Sequence, residues 1–151
     1  MLVTNHVLSG AALGAALRRP LPAFLLGVAS HFALDSIPHW GQWEDDKAFL
    51  RVAITDGLTG LATMATLTHL AKTKGPKHLT IAVLAGMSGA ALPDLDKPSD
   101  ILLGHTLWPA KVNAFHHAIQ DEAPHRFFSH EAVAAATFAL AAVTLIRRAS
   151  R

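Results

Sequence analysis

Residues 27–40 read G-V-A-S-H-F-A-L-D-S-I-P-H-W and carry the most suggestive side chains of the chain. His31 and Asp35 stand four apart, so on a helix they share one face, and His39 follows just past the helix-ending Pro38. An imidazole and a carboxylate at that spacing can reach one divalent ion from a single helix. The chain has 10 histidines and 0 cysteines, which excludes disulfides, thiolate zinc sites and cysteine nucleophiles. A bound metal must therefore use His and carboxylate ligands, with zinc the first expectation and manganese or iron the alternatives.

Other groups of the same chemistry lie further along. In L-P-D-L-D-K-P, residues 92–98, Pro93 and Pro98 are expected to stop the helix on either side and leave Asp94 and Asp96 in a turn. Paired carboxylates there could bridge or flank a cation, or Asp94 could cap the turn while Asp96 pairs with Lys97. A polar stretch with His105, Trp108, His116 and His117 follows, and it closes on P-H-R-F-F-S-H-E, residues 124–131. Ser129 is a natural N-cap there, with His130 and Glu131 in the first helical turn. Asp56 stands within an apolar segment and needs either a metal or a polar partner. His69 and His78 lie at the opposite ends of their segments and read as structural.

The elements that must position these groups are helical. Apolar segments run over residues 7–17, 21–37, 49–70, 79–92 and 132–146, rich in Ala, Leu, Gly and Thr and without the alternation of strands. The expected fold is all-α, one domain over residues 1–151, an antiparallel bundle of about five apolar helices. At 51% hydrophobic and 16% charged residues, with mean hydropathy +0.32, the chain is too apolar for an ordinary soluble domain of its size, so a membrane-embedded bundle is expected. Only the third segment approaches the ~20 residues of a bilayer span. Glycines at 10 and 14, and at 57 and 60, would let helices approach closely.

Charge orders the segments. Arg18 and Arg19, then Lys72, Lys74 and Lys77, then Arg147, Arg148 and Arg151 all fall on one side of an up-and-down arrangement. By the positive-inside rule that side, with the C-terminus, is cytoplasmic. The other side gathers His6, His31, Asp35, His39, the loop with Glu44, Asp45 and Asp46, Asp56, the stretch from Asp94 onward, His130 and Glu131. Candidate ligands from every segment thus meet at one end, which faces the periplasm or cell exterior if the bundle is inserted. Trp40, Trp43 and Trp108 fall on that side too, as interfacial anchors would. No long basic face is interleaved with stacking aromatics, so a nucleic-acid partner is not expected.

Three blocks carry a family resemblance: T-N-H-V-L-S-G at residues 4–10, L-P-D-L-D at 92–96 and H-R-F-F-S-H at 125–130. They resemble the T-H-x-x-x-G, P-D-x-D and H-R-x-x-T-H-S blocks of the bacterial membrane-bound metal-dependent hydrolases, with Asn5 before the histidine and Glu131 in place of the usual serine. The resemblance implies that His6, Asp94, Asp96, His125 and His130 hold the metal. More distantly, His31 to His39 is similar to the H-x-x-x-D segment of the zinc-dependent phospholipases C and single-strand nucleases, although the N-terminal tryptophan ligand of that superfamily is missing. Both point to metal-activated water attacking a phosphate ester, lipid-linked if the site lies at the bilayer surface. Glu131 or an uncoordinated aspartate would be the general base, and Arg126 or Lys97 would hold the anionic substrate. The alternative without chemistry is a metal-stabilised membrane scaffold, or a subunit of an oligomer or larger complex.

Overall fold

The structure is a computed structural model that describes residues 1–41 and 45–149, with Asp46 described in its backbone alone. Trp43 and Glu44, counted above among the anchors and the acidic loop, lie outside the described residues. Among the described residues every regular element is helical, in the order α1 (Val3–Leu17), α2 (Pro20–Asp35), α3 (Asp46–Lys74), α4 (Lys77–Ala91), a 3-10 turn (Leu92–Leu95), α5 (Asp96–Leu103), α6 (Ala110–Ile119) and α7 (Phe128–Ala149). Two short helices, α5 and α6, thus fall in a stretch whose sequence shows no apolar segment. Among the described residues no strand forms, and a single parallel bridge pairs His39 with Glu122.

Each helix boundary has a local cause. Pro20 opens α2, where its missing N–H costs nothing. Arg18 takes the left-handed conformation, with φ of 55°, and turns the chain tightly from α1 into α2. Asp45 caps α3 by accepting the Ala48 N–H at 2.7 Å. As expected, α4 ends just before Pro93 and leaves Asp94 in a 3-10 turn; contrary to expectation, Pro98 ends nothing and Asp96 opens α5. Pro93 sits in the first turn of the 3-10 segment and Pro98 in the first turn of α5, where a φ fixed near −65° suits a helix and no intrahelical N–H bond is lost. Ser129 is likewise not a cap, because α7 already starts at Phe128.

Helix α1 is the hub. Its Val7, Leu8, Ala11 and Ala15 pack with Leu67 and Ala71 of α3, Leu79, Val83 and Met87 of α4, and Ala142 and Ile146 of α7. Small residues set the spacing. A Cβ at Gly10 would collide with the Gly86 carbonyl, and one at Gly14 with Ala82, so α1 and α4 meet backbone to backbone. The expected second pair behaves differently, since Gly57 faces open space and Gly60 only approaches Val3.

Two stretches are long and apolar enough to cross a membrane, the continuous helical run Lys77–Leu103 and α7 itself. At 29 residues α3 is longer, yet its polar content keeps it from that class. The surface carries many large apolar side chains, among them Leu21, Leu58, Leu61, Leu102 and Leu140.

Candidate metal centre

Four helix ends deliver polar side chains to one buried point. His6 comes from the first turns of α1, His31 and Asp35 from the last turns of α2, Asp94 from the 3-10 turn after α4, and His116 from α6. His6, His31 and Asp35 are fully buried and His116 nearly so. Such a concentration of polar groups in an apolar bundle must satisfy itself internally.

The inner part is a triangle of donor atoms. His31 Nε2 lies 3.0 Å from His116 Nε2 and 3.2 Å from Asp35 Oδ2, and His116 Nε2 lies 3.0 Å from the same oxygen. The tautomer of a neutral His31 follows from its other nitrogen, because Nδ1–H donates to the carbonyl of Ala90 at 2.7 Å. A neutral His31 therefore presents a bare lone pair at Nε2. His116 Nε2 faces both of these acceptors at about 3 Å, so either its own N–H, in the Nε2–H tautomer, donates to them or a metal ion lies between the three. A tetrahedral ion with bonds of ~2.0–2.1 Å separates its ligands by roughly 3.3 Å, close to the edges of this triangle. The backbone-anchored Nδ1 is also the usual partner of a metal-ligating imidazole. The donor set thus fits a divalent ion such as zinc.

Around the triangle, His6 Nε2 and Asp35 Oδ1 are 3.0 Å apart, and the amino group of Met1 meets the same oxygen at 2.7 Å. Gln120 Nε2 reaches Asp35 Oδ2 at 3.4 Å from one turn beyond His116. Burial alone would raise the Asp35 carboxyl, but hydrogen bonds from His116 and His6 hold it far below the ordinary carboxylate range. Burial pushes the His6 imidazole down to about 4, so it stays neutral at pH 7. Its Nδ1 is buried with no hydrogen-bond partner. Asp94 borders the cluster, with Oδ1 4.0 Å from both His31 Nε2 and His116 Nε2 and 3.0 Å from Lys97 Nζ. His6, His31 and Asp94 form a second group of donors within 4.8 Å of one another.

Several residues expected at the metal do other work. Asp56 accepts the N–H groups of Val3 and Thr4, at 2.6 and 3.1 Å, and the Thr4 hydroxyl at 2.6 Å, capping α1 from α3. Asp96 accepts the N–H groups of Leu107 and Trp108 and so orders the loop after α5. His39 donates from Nδ1 to the Ile37 carbonyl, while its backbone pairs with Asp121 and Ala123. His125 is exposed. His130 is exposed as well, and its Nδ1 accepts the Phe127 N–H at the start of α7.

The two residues expected to be catalytic also stand apart from the triangle. Glu131 is buried and accepts from the Leu2 and Trp40 backbone and from Asn5 Nδ2, a clamp joining α7 to α1. Arg126 lies beside His130 and Glu131 at a separate depression near Pro38. His116 was named only within the polar stretch and not among the expected ligands. Its one sequence signal is the spacing to Gln120, which puts both on one face of α6.

Compared with family models, curated proteins and solved structures, the chain matches none.

Proposed function

We propose that this chain is a metal-dependent hydrolase of a bacterial inner membrane, cleaving a lipid-linked phosphate ester with water as the nucleophile. The observation that carries the reading is the triangle of His31 Nε2, His116 Nε2 and Asp35 Oδ2, with edges of 3.0 to 3.2 Å. Resemblance of the blocks around His6 and Asp94 to the membrane-bound metal-dependent hydrolases supports it. So do the two long apolar helical stretches and the leucines of the surface.

A divalent ion, zinc first and manganese or iron as alternatives, supplies acidification of water and neutralisation of developing phosphoryl charge. His31, His116 and Asp35 would hold it. The Ala90 carbonyl keeps the His31 ring oriented, while His6 and Gln120 fix the Asp35 carboxylate. Asp94 replaces Glu131 as the general base, because its Oδ1 borders the triangle at 4.0 Å from both ring nitrogens and can take a proton from water there. Lys97 places a cation at the same border, where a phosphate oxygen would need one. The basic clusters at residues 18–19, 72–77 and 147–151 support a cytoplasmic C-terminus and a site on the outer face.

The test is elemental analysis of the purified protein, followed by phosphomonoester and phosphodiester assays with and without chelator. About one zinc, manganese or iron per chain with chelator-sensitive hydrolysis is the expected result. Absence of tightly held metal would overturn the reading. Full burial of His6, His31 and Asp35 favours a second reading, a metal-stabilised scaffold, in which metal is present and chelation lowers the melting temperature without any hydrolysis to lose.

A further inference from the structure

Beside the cluster lies a cleft of about 700 Å³, walled on one side by α3 and on the other by the 3-10 turn and α5. Its walls are apolar, with Ala53, Leu61 and Met64 facing Leu95, Ile101 and Leu102. The polar groups Asp94 and Lys97 line it as well, and these are the residues that border the metal triangle. Leu61, Ile101 and Leu102 are 65%, 50% and 78% exposed, so the cleft stays open along its apolar length. Its volume falls within the ~300–1,000 Å³ usual for small-molecule sites. A partner helix ~10–12 Å across would need more room than that for even two turns.

We infer that this cleft seats the hydrocarbon chain of a phosphate-bearing amphiphile, with the phosphate at Lys97. The chain lies between α3 and α5 and displaces no packed side chain. The Lys97 ammonium offers three donors and is 37% exposed, so it can meet a phosphate oxygen while still beside Asp94. Gly57 lines the cleft where an added Cβ would meet nothing within 4 Å, so the space there can be filled without disturbing the helices. The head-group half of the inference rests on the proposed phosphate-ester chemistry, whereas the chain half does not.

The test uses chelator-treated full-length protein in bilayer nanodiscs, labelled with a hexadecyl phosphate carrying a photoreactive diazirine in its chain, with adducts mapped by mass spectrometry. Adducts are expected on α3 and α5 inside the cleft. Gly57→Leu should cut them at least tenfold while labelling near Leu140 on α7 persists and the melting temperature does not fall. Ala53→Phe provides a second filling variant should Gly57→Leu not fold. The corresponding hexadecanol should label the cleft less, and Lys97→Gln should erase that difference. Adducts spread evenly over the exposed leucines, or unchanged in both filling variants, would overturn the inference. Displacement by inorganic phosphate as complete as by unlabelled hexadecyl phosphate would do the same. Because metal is removed throughout, cleft labelling in a protein that binds no metal would sink the hydrolase reading and leave the chain site standing.

Discussion

His31 donates its Nδ1 proton to the Ala90 carbonyl at 2.7 Å, and this one bond ties the end of α2 to the end of α4 while deciding what the other side of the ring can do. The donor is satisfied by a carbonyl near the C-terminus of α4, so Nε2 is left as a lone pair. That lone pair is aimed at Asp35 and His116 rather than at solvent. Close packing makes the arrangement stiff. A Cβ at Gly27 would collide with the Gly86 carbonyl and one at Gly89 with Phe24, so α2 and α4 cannot slide without breaking contact.

If the triangle is the metal site, His116→Ala should lower metal affinity as much as His31→Ala does. Each loss should exceed the roughly 10- to 100-fold typical of residues that only orient a ligand. His125→Ala and His130→Ala should leave metal content unchanged, since both rings are exposed and neither touches the triangle. Metal-to-protein ratios across the four variants decide it, and a loss confined to His125 and His130 would put the ion elsewhere.

Asp56→Ala should be a stability variant. The carboxylate accepts two backbone N–H groups at the start of α1, and removing it strands both, at a cost of about 1–3 kcal/mol. Melting temperature should fall while bound metal per folded chain holds. A metal-depleted variant with an unchanged melting point would return Asp56 to the list of ligands.

The helical class and the gathering of His6, His31, Asp35 and Asp94 were legible in the sequence because apolar helical segments in antiparallel alternation bring alternate ends together. The pairing of His31 with Asp35 was legible for a simpler reason, the i to i+4 spacing. His116 was not, because α6 lies in a polar stretch with no apolar frame to say which way it faces. Glu131 and His130 misled for the opposite reason. They sit at the right end of α7, but nothing local reveals that Leu2, Asn5 and Trp40 return to occupy Glu131 or that Phe127 occupies His130. Pro98 read as a break because proline ends helices from within, whereas here it falls in the first turn of α5.

The glycines divide into two kinds with opposite signs of effect. Gly86→Ala places a methyl against the Gly10 carbonyl and must push α1 from α4, which should cost at least 1–3 kcal/mol. Gly57→Ala meets nothing within 4 Å in mid-helix and should stabilise by about 0.5–1 kcal/mol. Thermal melts of the two variants in one detergent should therefore move in opposite directions. A Gly86→Ala protein as stable as the parent would mean that the α1–α4 contact is looser than described.

Acid should weaken the metal-free protein through His6. The folded imidazole is pushed down from 6.5 to about 4 by burial, against the pull of Asp35 beside it and with His31 and Asp94 as its other titratable neighbours. The unfolded chain binds a proton there that the folded chain refuses, so stability is full above pH ~6.5 and falls as the pH drops toward 4. The whole effect is roughly 3 kcal/mol at most. Asp35 does not add to it in this window, because its folded carboxyl lies below the ordinary range and its contribution is lost only at still lower pH. His6→Asn removes the titrating ring, so the variant should melt with a flatter pH dependence between 6.5 and 4 than the parent, both in excess chelator. Parallel slopes for the two proteins would mean that His6 takes up its proton without leaving the folded state.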